Sequence, residues 1–280
     1  MLQIRFGTFR LLAVAAALWG ATTVDAHQLW VETAEVGRAG QPQQLHVCWG
    51  HPGNKETGDG LTRHEGKVSA YRACPGGERQ MLELATGSDS FTAVLTPVEP
   101  GYHRVGGEIQ IGVLTREFHG IAPNTRLVMY GNSSVHISGS EQGVDSPLGL
   151  DLEIVPVGSP RNLRPGDLVE VKVLFRGKPI GGRQVEVSLS TMGRESFSDR
   201  TQVRGLRWNV ASYADPATGK VSFPLIVPGQ HVFYLQYVDE TPGQYEGDLQ
   251  FETDYSRLRR GEAYERTLYV STFTLNVEDK

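Results

Sequence analysis

The chain has 280 residues, is 39% hydrophobic and 21% charged, and carries a formal net charge of −5. That balance excludes the dense Lys/Arg surface that nucleic-acid binding requires, and the apolar content excludes a globally disordered chain. The 33 Gly and 15 Pro are spread evenly, which marks a turn-rich protein rather than a low-complexity one.

Residues 1–26 read as an export signal. Arg5 and Arg10 precede the apolar run Leu11–Gly20, and Val24-Asp25-Ala26 offers a small-residue cleavage site. The run is about ten residues, too short to span a bilayer comfortably. Cleavage after Ala26 sends the chain to the periplasm or outside the cell and leaves 254 residues beginning at His27. A free N-terminal His presents its α-amino nitrogen and imidazole Nδ1 to one metal ion as a chelate, and imidazole suits Zn, Cu, Fe and Ni. The alternative is an ordinary, loosely held terminus.

The chain then reads as short strands. Leu29–Val36, Gln43–Trp49, Lys67–Ala73, Ser90–Thr96, Glu108–Leu114 and Arg126–Tyr130 are separated by turn signals such as Gly40-Gln41-Pro42 and Pro75-Gly76-Gly77. A second series follows: Leu150–Val155, Leu168–Phe175, Gln184–Leu189, Lys220–Ile226, His231–Val238 and Thr267–Val277. The best helical stretch, Asp254–Glu265, is short. The expected fold is all-β: two immunoglobulin-like or transthyretin-like β-sandwich domains, 27–145 and 146–280, joined at the polar segment Ser140–Pro147. No apolar run of membrane-spanning length follows the signal.

Chemistry concentrates in the first half, which holds seven of the eight His. In Leu45-His46-Val47-Cys48-Trp49-Gly50-His51-Pro52 the apolar Leu45, Val47 and Trp49 share one strand face, with His46 and Cys48 on the other. His51 lies past Gly50, at the strand end, where a turn can bring it against a loop or terminus. His64 sits in a polar loop and His103 at a strand start; neither carries a motif. There is no HExxH, GxSxG, P-loop or paired CxxC, so any metal site must be assembled from distant segments. Cys48 and Cys74 fit a disulfide in an oxidising compartment, worth about 3 kcal/mol by loop closure. Two free thiols, or one thiolate ligand, are the alternatives. Asp151 and Glu153 share a strand face, a weak sign of paired carboxylates.

Several of these segments together resemble one family. They are Ala26-His27 with Trp30 close behind, Trp49-Gly50-His51-Pro52, and the stretch from Pro147-Leu148-Gly149-Leu150-Asp151-Leu152-Glu153 through Leu163-Arg164-Pro165-Gly166-Asp167 to Phe175-Arg176-Gly177-Lys178-Pro179. The chain is similar to the DUF4198 family of exported proteins, often labelled periplasmic components of nickel or cobalt uptake systems. Members commonly begin with His after cleavage and carry a Gly-His after an early strand, matching His27 and Gly50-His51. The chain departs from relatives at Tyr130-Gly131-Asn132, and at Gln236-Tyr237, where relatives often have a His. The resemblance implies a periplasmic protein that captures Ni²⁺ or Co²⁺ for a membrane transporter, with His27 and His51 as metal ligands; His103 is the expected third ligand, and the absence of catalytic motifs leaves a non-enzymatic protein as the expectation. The alternative is a non-catalytic adhesion, carbohydrate-binding or protein-binding module.

Overall fold

The structure, a computed structural model, describes residues 27–189, 209–225 and 227–279. The expected signal at 1–26 and the end of the expected strand at Ile226 lie outside the described residues. The fold is all-β, a stack of sheets packed as sandwiches. The one helix among the described residues is the single turn Asp59–Thr62. Asp254–Glu265 is not helical: it contains the short strands Ser256–Leu258 and Ala263–Tyr264. Its Thr253 hydroxyl accepts the Ser256 amide, so side chain and backbone close a turn where a helix would need an unbroken ladder.

One large sheet forms the middle. Its path runs Asn209–Tyr213, Gln184–Leu189, Gly229–Asp239, Arg266–Val277, Thr125–Ile137 and Gly101–Leu114, with Val68–Ala73 also paired to the last of these. Thr125–Ile137 and Arg266–Val277 run parallel, from Thr125 opposite Arg266 to Asn132 opposite Phe273. The middle sheet therefore draws strands from both sides of residue 145.

Both faces of this sheet are buried. Along Thr125–Ile137, Leu127 and Met129 enter one core, and Val128 and Tyr130 enter the other. Along Arg266–Val277, Leu268 and Val270 join the first core, and Tyr269 and Phe273 the second. A strand packed on both faces loses the apolar–polar alternation that marks a half-solvated one. The first core is closed by a front sheet of Gln28–Thr33, Gln43–His51 and Phe91–Leu95, through Leu29, Val31, Leu45 and Val47. The second is closed by a back sheet of Leu152–Pro156, Leu168–Phe175 and Lys220–Pro224, through Ile154, Val171, Val173 and Phe223.

Front and middle sheets approach closely at Gly131. A Cβ there would lie 2.9 Å from Trp30 Cα and 3.1 Å from the Leu29 carbonyl oxygen. The Thr272 hydroxyl, next to Gly131 in register, donates to that same carbonyl at 2.7 Å. The N-terminal strand is thus fixed backbone-first, and it carries His27 at its head.

The expected disulfide does not form: Cys48 and Cys74 are both free thiols. Cys48 lies in the front sheet and alternates away from Leu45, Val47 and Trp49, the residues that face the middle sheet. Cys74 follows the Val68–Ala73 strand of the middle sheet, in a turn closed by its amide on the Glu78 carbonyl. The two side chains belong to different layers. Burial raises the Cys48 thiol pKa, so it is an inert core group. No helix among the described residues is long and apolar enough to cross a membrane.

Candidate functional site

The site forms where the first strand meets the end of the second. Gln28 pairs with Gly50 and Leu29 with Trp49, which sets His27 beside the Gly50-His51 corner. Gly50 adopts φ 130°, and a Cβ there would lie 2.7 Å from the Asn54 carbonyl oxygen, so only glycine permits this bend. His51 then pairs with Asn54 across a tight hairpin, and the Glu56 amide donates to the Trp49 carbonyl at 2.8 Å. The hairpin folds Glu56 back toward the N-terminal strand.

The result is a compact cluster. His27 stacks on Trp49 with ring centroids 5.5 Å apart and 12° between planes, and its centroid is 5.0 Å from that of His51. His27 Nε2 lies 2.6 Å from a Glu56 carboxylate oxygen. With the proton on Nε2 it donates to that carboxylate, and the Nδ1 lone pair is left for another partner. A carboxylate on the far nitrogen is the usual support of a metal-ligating His, fixing tautomer and ring orientation. Nearby, Lys55 Nζ binds Glu32 at 2.7 Å and ties the hairpin to the first strand.

His64 packs against the same indole, tilted at 58° with ring centroids 4.8 Å apart, and is 3% exposed. Burial pushes its pKa down to about 4; the positive charges of Lys67, Arg63 and His27 act in the same direction, and Glu56 opposes them. A His held neutral in the folded state stabilises the fold above its ordinary pKa of about 6.5 and loses that contribution as pH falls toward 4. Urea unfolding at pH 7 and pH 4.5 should therefore show wild type losing more stability on acidification than His64→Phe. Equal losses would mean that His64 is not the group responsible.

The structure brings His27 and His51 together but does not bring His103 to them. His103 lies in Gly101–Leu114 opposite Val135, 1% exposed, with Nε2 at 2.9 Å from the Glu99 carbonyl. Burial lowers its pKa. Its strand position packs it into the interior, away from the Gly50-His51 corner. Glu56 and His64 were not singled out by spacing. Glu56 lies 29 residues from His27, and only the hairpin unites them. Glu153 is buried rather than set in a cleft: it is 1% exposed and accepts the Leu148, Gly149 and Leu150 amides at 2.6, 3.1 and 3.4 Å.

Among the described residues no three His, Cys, Asp or Glu side chains are gathered so that they alone could hold a metal ion. Two imidazoles, those of His27 and His51, meet beside the Glu56 carboxylate.

The sequence pattern described as "Domain of unknown function (DUF4198)" matches residues 24–239. The chain belongs to the DUF4198 family. That match takes in His27, His51 and most of both cores of this DUF4198 protein. No curated protein matches it. Among solved structures, a DUF4785 family protein from Legionella pneumophila is similar at TM-score 0.26 and 14% identity, over 74% of this chain and 51% of that one. A Salmonella alpha-2-macroglobulin mutant is similar at TM-score 0.28 and 12% identity, over 89% of this chain and 15% of that one. The DUF4198 chain thus spans about half of the first and a small part of the second.

Proposed function

We propose that this protein is exported, loses residues 1–26, and captures a divalent transition metal, nickel or cobalt, for a membrane uptake transporter. The ion is its cargo. It is held by the α-amino nitrogen and Nδ1 of His27 and by an imidazole nitrogen of His51. The observation that carries this reading is the 5.0 Å separation of the two ring centroids, with Glu56 on His27 Nε2. Imidazole nitrogens about 2.0–2.1 Å from one ion, on adjacent coordination positions, place their ring centroids about 5 Å apart. The third donor that the side chains lack is the amine freed by cleavage, which explains why side chains alone form no complete site. An all-nitrogen set suits Ni²⁺ and Co²⁺, and by general affinity order it binds Cu²⁺ more tightly still, so metal supply helps to decide the occupant.

Calorimetric titration of NiCl₂ into chain beginning at His27 tests this. One ion per chain is expected in wild type, with His51→Ala weakened by about 100-fold or more, beyond the usual loss for an outer-sphere partner. A His51→Ala variant that binds nickel like wild type would remove the second imidazole from the ligand set.

A further inference from the structure

A cleft of about 330 Å³ opens beside His27 and shares that residue with the metal site. A bare ion already surrounded by its nitrogens needs none of this space, whereas sites for small organic molecules occupy about 300–1,000 Å³. The walls are chiefly apolar and aromatic. Leu127 and Met129 come from the middle sheet and Trp49 from the front sheet, and Phe118 stacks on Tyr255 at 4.1 Å between centroids. Phe118 and Ile121 exchange backbone hydrogen bonds at 3.1 and 2.9 Å, so that wall is a closed turn.

Five polar side chains stand in these walls: His27, Arg63, His64, His119 and Asp254, the last paired with Arg116 at 3.0 Å. His64 lines the cleft at 3% exposure, and its Nδ1 has no hydrogen-bond partner among the described residues. Buried polar atoms are ordinarily satisfied, and an orphan costs free energy that a ligand group can recover. Arg63 also lines the cleft, its Nε held on the Gly60 carbonyl at 3.0 Å. Its remaining guanidinium N–H groups match the geometry of a carboxylate.

We infer that the cleft seats a small organic chelator of the cargo ion, so that the protein takes up a metal–chelator complex rather than the hydrated ion. The chelator carries a carboxylate, which meets Arg63, and an apolar or heteroaromatic body, which packs on Trp49 and Phe118. A polar atom of that body satisfies His64 Nδ1. Its own metal donors fill coordination positions that His27 and His51 leave open. This inference rests on the metal reading of His27 and names the substrate class of that site.

The experiment uses the full chain beginning at His27 and three titrants: NiCl₂, nickel premixed with one equivalent of L-histidine, and L-histidine alone. Wild type should bind nickel–histidine about tenfold or more tighter than NiCl₂, as expected for one added charged contact and a buried ring. Ile121→Trp, which fills the cleft from the Phe118–Ile121 turn and touches none of the proposed nickel donors by substitution, should abolish that preference while leaving NiCl₂ affinity unchanged. Arg63→Gln, at an exposed position, should abolish it as well. Equal wild-type affinity for the two nickel forms overturns the inference and leaves the metal site standing. A preference that survives in both variants, or tight binding of L-histidine without nickel, also overturns it. Absence of binding to either nickel form overturns the metal reading together with this one.

Discussion

One additional residue ahead of His27 should weaken nickel binding by more than about 100-fold relative to chain cut after Ala26. Removing an outer-sphere partner of a ligating His costs about 10–100-fold, and the extension removes a ligand outright. It converts the α-amine into a peptide nitrogen, which is not a metal donor at neutral pH, and it opens the chelate ring shared with Nδ1. Everything else at the site stays in place: the Trp49 stack, the Glu56 contact and the His51 ring all belong to residues after position 26. The comparison isolates the amine. Glu56→Gln provides the graded control, with an expected loss of about 10–100-fold because only the support of Nε2 is removed. Binding by the cut chain should also strengthen as pH rises toward about 8, since an α-amine of pKa about 7.7–8.0 must shed its proton to coordinate. Calorimetry of the cut and extended chains reads all three effects. Equal nickel affinity in the cut and extended chains would falsify the chelate.

Loss of the Glu153 carboxylate should destabilise the fold by about 3–5 kcal/mol, the range for breaking a buried ion pair by removing one partner. Arg104 and Glu153 are 0% and 1% exposed at their side chains, with Nη2 and Oε1 3.8 Å apart. Arg104 Nη2 also donates to the Asn132 side-chain oxygen and, at 3.4 Å, to the Ile154 carbonyl. Burial lowers the Arg104 pKa to about 10, against the stabilising charge of Glu153. Burial likewise raises the Glu153 carboxyl, opposed by Arg104 and then by the three backbone donors. Desolvation therefore outweighs the attraction of the two charges, and the pair is a fastener between the middle and back sheets rather than a source of surplus stability. Glu153→Ala strands the guanidinium and three amides at once. The double variant Arg104→Met with Glu153→Gln removes the charge and keeps an acceptor for the amides, and should lose less than Glu153→Ala alone. Urea unfolding measures both, and a double variant as unstable as the single one would show that the charge pair is not the coupled element.

Much of this was legible before any coordinates. Leu168–Phe175 and Gln184–Leu189 occur with the bounds their alternation and turns imply. The long strands were only half visible. In Gly101–Leu114 the sequence marks a strand only from Glu108, because Gly101, Gly106 and Gly107 look like turn residues. In Thr125–Ile137 the strand pattern is visible only as far as Tyr130, because Gly131 and the polar run Asn132-Ser133-Ser134 break it. In the fold those polar groups are spent between layers: Asn132 Nδ2 donates to the Thr272 carbonyl and the Ser133 hydroxyl to the Thr274 carbonyl. Such satisfaction depends on partners some 140 residues away, which no local window contains. The same holds for the site. His27 and His51 were legible as residue types at a terminus and a strand end. Glu56 and His64 entered through a hairpin and an indole face, and the separation of Cys48 from Cys74 came from a layer assignment that Cys spacing does not encode.

The strand Arg266–Val277 is inserted between Gly229–Asp239 and Thr125–Ile137 in the middle sheet. The order of events during synthesis follows from this. Until its last dozen or so described residues are made, the chain holds two half-sheets with unpaired edges and two open cores. Contacts of such long sequence separation close slowly and leave edges exposed to wrong partners meanwhile.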